Sequence, residues 1–294
     1  MSTRCARISR FTLAAASVAV LPLFAACGAG PVQEDVSVLE RARQAGAIAV
    51  GFAGEAPYSF EQGGVLMGAT VALYEEIFSR LGIARLDGVN TDFGALIPGL
   101  NAGRFDAVSA GMSILPQRCA QAAFSEPEFL YTTALMVPAG NPHGLTDMQS
   151  IKDAGVRLAV MTGAIESDYA AALEIDTIQV AGPQNGMDAV VTGRADVFAL
   201  TGISLTWMAN NNPGAPVEVT DSFVAVIDGV EQVGAGGTVF RLEDADLLAA
   251  YNAELATIVT DPERYLSIVG PFGFTEAERP KGDLTTAELC EGVG

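Results

Sequence analysis

The sequence predicts an α/β protein built as two lobes of similar design, with a hinge and a cleft between them. Three observations predict it. Short apolar strand patterns alternate with amphipathic helix patterns, as in open, largely parallel sheets covered by helices. One helix-to-strand corner occurs twice, as Asn101-Ala102-Gly103-Arg104-Phe105-Asp106 and as Val191-Thr192-Gly193-Arg194-Ala195-Asp196. Two breaker-rich stretches, Pro138-Ala139-Gly140-Asn141-Pro142 and Gly234-Ala235-Gly236-Gly237, read as the points where the chain passes between lobes.

The elements follow in chain order. Residues 47–52 form a short apolar strand. Residues 70–81 form an amphipathic helix, because Val71, Tyr74, Phe78 and Leu81 recur at helical spacing and Gly82 stops it. Residues 95–101 form a short helix and 107–111 a strand. In the second half, strand 157–161 leads to helix 166–173, and helix 187–192 leads to strand 197–200. A long helix spans 244–259, with Leu247, Leu248, Tyr251, Leu255 and Ile258 on one side. Ligands of such sheets sit beyond the carboxyl ends of the strands, here facing the cleft.

Ahead of these elements stands an export signal. Arg4, Arg7 and Arg10 form a positive start, and the uncharged run from Phe11 to Ala26, interrupted by Pro22, suits a secretory leader better than a membrane span. The run ends Leu23-Phe24-Ala25-Ala26-Cys27, like a bacterial lipobox, although Phe24 replaces the usual aliphatic residue. Cleavage before Cys27 with lipid on its sulfur is expected. The alternative is plain cleavage after Ala26. Residues 27–37 then read as a lipid-anchored tether. The chain carries 16 basic and 35 acidic residues among 294. Loss of the leader removes three arginines and no acid, so nucleic acid and anionic membrane surfaces are poor partners. Of the four cysteines, Cys5 leaves with the leader and Cys27 is the lipidation site. Cys119 and Cys290 remain as an even pair in an oxidising compartment, and a disulfide is expected. Two separate buried thiols are the alternative.

Familiar catalytic patterns are lacking. The sole histidine, His143, lies in a loop and reads as solvated. No GxSxG, HExxH, Walker A or CxxC pattern occurs, and no cofactor or metal is expected. Four segments at strand ends stand out instead. Glu55-Ala56-Pro57-Tyr58 pairs a carboxylate with an aromatic ring, and Asp92-Phe93-Gly94 supplies a second ring. Gly111-Met112-Ser113 runs on to Arg118, and Thr162-Gly163-Ala164 opens a helix. Singly, each also reads as core or as ordinary surface.

Taken together these segments resemble the family 3 extracellular solute-binding proteins of ABC importers, from about Leu39 to the C-terminus. The likeness rests on residues 93–106, on the segment from Ala110 to Arg118, and on that from Val160 to Tyr169. Within the family, Glu55-Ala56-Pro57-Tyr58, residues 93–100, Gln117-Arg118-Cys119, Val226-Ile227-Asp228-Gly229, residues 271–275 and residues 286–290 look most like ectoine- and hydroxyectoine-binding proteins. The resemblance implies a type II periplasmic-binding-protein fold, the venus flytrap. Lobe 1 is then made from both ends of the chain: with the signal peptide at 1–26, lobe 1 is expected at 38–137 and 236–294 and lobe 2 at 138–235.

By the same resemblance Arg118 stands where the family binds a ligand carboxylate, assisted by Gly111 and Ser113. Tyr58 and Phe93 match aromatic positions, and Gly163, Ala164 and Ile165 line the lobe 2 side. Two departures carry information. Thr201 stands where amino-acid binders place an aspartate for the ammonium, so negative charge comes from Glu55. Ser113 is small where ectoine binders are expected to offer another ring, so a cage would close from Trp207 or another lobe 2 residue. The expected function is capture of a small zwitterionic compatible solute, ectoine or hydroxyectoine, by an exported monomer, periplasmic or lipid-anchored, that delivers it to an ABC permease. The alternatives are a polar amino acid as ligand and an enzyme like cyclohexadienyl dehydratase, for which Glu55 and Glu166 are the acid/base candidates.

Overall fold

A computed structural model of the chain describes residues 36–227 and 229–292. The signal peptide, Cys27 and nearly all of the tether lie outside the described residues. Two sheets organise the rest. In the first, Ala47–Phe52 lies between Arg85–Asn90 and Ala107–Ser113, all parallel. Gly234–Phe240 joins antiparallel to Ala107–Ser113 and also pairs with Ala123–Phe124 and Phe129–Tyr131. In the second, Leu158–Met161 lies parallel between Thr177–Val180 and Val197–Thr201, and Thr133–Pro138 and Val217–Val219 add antiparallel strands. The parallel strands are those that alternate with helices. The antiparallel ones belong to the segments that pass between lobes.

The helix over 70–81 is observed as Ala69–Arg80, with Val71, Tyr74 and Phe78 buried. The helix over 244–259 is observed as Ala245–Val259 and buries Leu247, Tyr251, Leu255 and Ile258. Helix 187–192 starts earlier than expected, as Pro183–Val191, because Pro183 occupies a first-turn position where no N–H is missed. Met148–Ala154, Gly202–Asn211 and Pro262–Val269 are further helices of the described residues. None is long and apolar enough to cross a membrane.

The repeated corner does the same work in each lobe. Gly103 and Gly193 take positive φ, 70° and 68°, ending the helix in a conformation other residues avoid. The aspartate that follows locks a neighbouring parallel strand at or near its start, Ala47–Phe52 in lobe 1 and Leu158–Met161 in lobe 2. Asp106 accepts from the Ala49 N–H at 3.3 Å and donates its own N–H to the Ala49 carbonyl at 2.8 Å. Asp196 does likewise with Arg157, at 2.9 Å in each direction.

The crossings lie elsewhere than the breaker residues suggest. Tyr131 pairs in the first sheet and Thr133 in the second, so the chain changes lobe at Thr132, not after 137. Pro138-Ala139-Gly140-Asn141 is instead a turn at the far end of a lobe 2 strand, with Asn141 at φ 40°. The return falls just before Gly234, whose strand already belongs to lobe 1. That run is glycine-rich because side chains crowd it: aromatic rings at Gly234 and Gly236 and Ser125 at Gly237. A Cβ on Gly234 would come within 2.5 Å of the Tyr131 ring, and one on Gly236 within 2.2 Å of Phe129.

Cys119 and Cys290 form the expected disulfide, with Cα atoms 5.7 Å apart. It staples the C-terminal helix Thr286–Glu291 to the single turn Pro116–Cys119 that carries Arg118. Closing a span of 171 residues stabilises by about 4–5 kcal/mol in the chain-entropy model. His143 is exposed in its turn.

Candidate ligand-binding cleft

The expected binding residues lie on strand ends and on the loops and helix starts that follow them. Arg118 is 8% exposed. Its Nη1 donates to the Ser113 carbonyl at 2.9 Å and its Nη2 to the Gly163 carbonyl of the opposite lobe at 2.7 Å. The guanidinium lies 5.6 Å from the centre of the buried Phe93 ring, a distance suited to cation–π attraction. Burial pulls its pKa below the usual arginine value, against the opposing effect of Tyr131, Asp168 and Glu166. Arginine stays charged all the same. Two of its five N–H groups are engaged by carbonyls, leaving three donors.

Glu55 is 3% exposed. Its Oε1 accepts from Ser204 Oγ at 2.7 Å and from Thr201 Oγ1 at 3.4 Å, both on lobe 2. Burial pushes its carboxyl up to about 7, against the pull of the Ser204 hydroxyl. Thr201 is therefore a donor to an acid that stands on the other lobe. Tyr58 packs against Phe129 and Phe274 at 5.2 and 5.7 Å, and its hydroxyl faces Glu55 and Thr201. Gly111 must be glycine for this ring. Its φ is +59°, and a Cβ would lie 2.6 Å from Tyr58. Ser113 Oγ is buried and accepts from the Tyr131 hydroxyl.

On lobe 2, Ala164 and Ile165 are buried at the start of the helix Ile165–Ala172. Gly163 has φ +79°, and a Cβ there would meet Gly94 Cα of lobe 1 at 3.2 Å. Glu166 is fully buried, with Oε1 accepting from Thr133 Oγ1 at 3.3 Å and Oε2 unpartnered. Burial pushes it too up to about 7. Trp207 makes its ring contact with Phe60, at 5.9 Å, across the lobes. A separate cavity of about 600 Å³ is lined from lobe 1 by Asp92, Gly94 and Ala95 and from lobe 2 by Thr162, Gln179 and Ala181.

The structure thus gathers Glu55, Arg118, Ser113 and Thr201 at one interface. It holds the rings apart, with Phe93 on the guanidinium and Tyr58 in the aromatic cluster of lobe 1. Tyr131, Thr133 and Ser204 also belong to the interface and were missed. Their signal was weak: Tyr131 and Thr133 flank the crossing, and Ser204 sits one turn beyond a strand end. Among the described residues no cluster of histidine, cysteine or carboxylate side chains has the form of a metal site.

Residues 48–266 match the bacterial extracellular solute-binding proteins, family 3. A probable amino-acid ABC transporter periplasmic-binding protein of Sinorhizobium fredii is 32% identical over 259 residues, 86% of this chain and 85% of the relative. The lysine/arginine/ornithine-binding periplasmic protein of Escherichia coli is 26% identical over 70% of this chain and 79% of its own. Among solved structures, EhuB in complex with hydroxyectoine superposes with a TM-score of 0.77 at 31% identity, covering 86% of this chain and 97% of EhuB. A family match over most of the chain, joined to the two-lobed fold, means that this protein belongs to the family 3 extracellular solute-binding proteins, which capture small amino-acid-like ligands outside the cytoplasm for the permease of an ABC transporter.

Proposed function

We propose that the chain binds a small zwitterion with a flat, delocalised cation, ectoine or hydroxyectoine, between its lobes, and binds it without chemical change. The observation that carries this reading is the pairing of buried Arg118 and Glu55 at one inter-lobe interface, with an aromatic face beside the guanidinium. The three free N–H groups of Arg118 take the ligand carboxylate. Glu55 takes the amidinium, and Ser113 and Gly111 border the carboxylate end. Tyr58 and Phe93 supply aromatic surface, each contact adding about 0.5–2 kcal/mol where the cation is desolvated. Gly163, Ala164, Ile165 and Thr201 form the closing wall. Because Arg118 and Glu55 already reach lobe 2 through Gly163, Thr201 and Ser204, the arrangement corresponds to the closed form of the flytrap. The complex of EhuB with hydroxyectoine supports the reading.

A polar amino acid is the second reading, favoured by the names of the curated relatives and by two buried acids able to receive an ammonium group. Mass spectrometry of ligand carried through native purification, followed by calorimetry with ectoine, hydroxyectoine, L-glutamine and L-arginine, decides between them. Tight binding of an amino acid with none of ectoine reverses the ranking. Turnover of prephenate or arogenate would replace both readings with an enzyme. As further parts of the proposal, Cys27 carries a lipid anchor and the protein works as a monomer. Cys27→Ser is expected to release it from the membrane fraction.

A further inference from the structure

Arg118 is buried, but the turn that carries it is peripheral. Pro116, Gln117 and Ala120 are exposed, and Cys119 is half-buried. A helical segment of four residues, Pro116–Cys119, does not hold its shape unaided, because a first turn fixes several backbone dihedrals for very few hydrogen bonds. The N–H groups of Arg118 and Cys119 share one acceptor, the Leu115 carbonyl, at 2.9 Å each. Neighbouring elements must supply the rest of its rigidity.

The C-terminal helix Thr286–Glu291 supplies it. A capping box between Thr285 and Glu288 sets its start. The helix is fastened to lobe 1 by Thr286, whose Oγ1 donates to the Ser125 carbonyl at 2.6 Å and whose N–H donates to Glu126 Oε2 at 3.1 Å. Leu289, 6% exposed, packs beneath it. Cys290 then bonds to Cys119, the residue after Arg118. At the end of the helix, a Cβ on Gly292 would touch the Pro116 ring at 3.5 Å. The last segment of the chain is therefore a brace on the outer side of the arginine turn.

The inner side of that turn reaches lobe 2 twice. Arg118 donates to the Gly163 carbonyl at 2.7 Å, and Gln117 Nε2 donates to Asp168 at 3.3 Å. A guanidinium clamps a carboxylate through a fixed planar fork, so its value depends on orientation as well as charge. Movement of this turn shifts the ligand seat and both closing contacts together.

Resting on the binding reading above, we propose that Cys119 and Cys290 are positioning residues for ligand capture: their bridge, carried by the C-terminal helix, holds the arginine turn in register with the cleft, so that the disulfide sets ligand affinity as well as stability. Neither cysteine touches the ligand. The bridge acts through the backbone of Arg118 and lowers the ordering cost that the ligand would otherwise meet on binding.

Calorimetry with ectoine compares the wild type with Cys119→Ser/Cys290→Ser, at a temperature where the melting curve shows both folded. The double variant is expected to bind about threefold to tenfold more weakly. The same comparison in an Arg118→Lys background separates positioning from a general loosening. With the fork gone, opening the bridge should cost less than about twofold. Unchanged ectoine affinity in the folded double variant, or an equal loss in the lysine background, overturns the proposal and leaves the ligand reading standing. If the double variant fails to fold, wild-type protein is titrated after treatment with tris(2-carboxyethyl)phosphine, which takes up a water oxygen as the S–S bond becomes two thiols. Unchanged affinity there overturns the proposal equally. If the wild type binds L-glutamine or L-arginine and not ectoine, only the ligand reading falls, and the comparison is made with that amino acid, whose carboxylate needs the same fork. If it binds none of these and no hydroxyectoine, both fall.

Discussion

Two kinds of buried acid occur in this molecule, and they differ in where their partners come from. Glu128 lies in the core of lobe 1, 1% exposed, and its Oε1 accepts from the hydroxyls of Ser125, Thr238 and Tyr251. Its backbone carbonyl accepts from Tyr265. All of these belong to lobe 1. Glu55 is as deeply buried, but its donors are on the opposite lobe, and Glu166 has one oxygen with no donor. Burial pushes all three carboxyls up to about 7. A raised pKa therefore does not distinguish a binding acid from a structural one. The origin of the hydrogen bonds does: an acid satisfied within its own lobe holds that lobe together, and one satisfied from across the gap senses closure.

The largest effect should follow removal of the cleft's countercharge. Arg118→Ala is expected to weaken ligand binding about 100- to 1000-fold by titration calorimetry, since it strips the ligand carboxylate of its partner and leaves both acids uncompensated. The melting temperature of the unliganded protein should change far less. Glu128→Ala should do the reverse. Three hydroxyls lose their acceptor and a cavity opens, costing about 3 kcal/mol in denaturant unfolding with ligand affinity unaltered. A Glu128→Ala protein that binds ligand poorly while staying fully folded would dissolve the distinction.

The pH dependence sharpens it. For a carboxyl with a raised folded pKa, the folded state holds its proton longer than the unfolded chain does. Stability is then greatest below the ordinary carboxylate pKa of 4.5 and declines as pH rises toward about 7. Each of the three acids is expected to contribute on the order of 1–3 kcal/mol to that decline in the unliganded protein, read as melting temperature against pH. Ligand should suppress the contribution of the cleft pair and leave that of Glu128. The smallest effect is expected at Gly163, where alanine meets Gly94 at 3.2 Å and must adopt φ +79°. Gly163→Ala should release ligand about three to ten times faster in stopped-flow displacement, because the lobes seat less closely.

Much of this arrangement was legible in the residues. Strand and helix periodicity placed the parallel strands, and the Arg-x-Asp corners announced two lobes because one local hydrogen-bond pattern recurs at Asp106 and Asp196. Arg118 and Glu55 stood out as charges in loops just past apolar strands. The lobe crossings were not legible. Thr133–Pro138 is an apolar strand whose sequence does not say which sheet it joins, and the glycines at 234–237 imitate a linker although the Tyr131 and Phe129 rings require Gly234 and Gly236. Tyr131, Thr133 and Ser204 were invisible for a related reason. A hydroxyl becomes part of a site only when a distant residue faces it, and sequence spacing carries no record of that.

The disulfide has a topological consequence. Cys119 precedes the outward crossing at Thr132 and Cys290 follows the return before Gly234, so the whole of lobe 2 hangs within one covalent ring anchored on lobe 1. However far that lobe swings, or even melts, its two exits stay bound to the platform that carries the arginine.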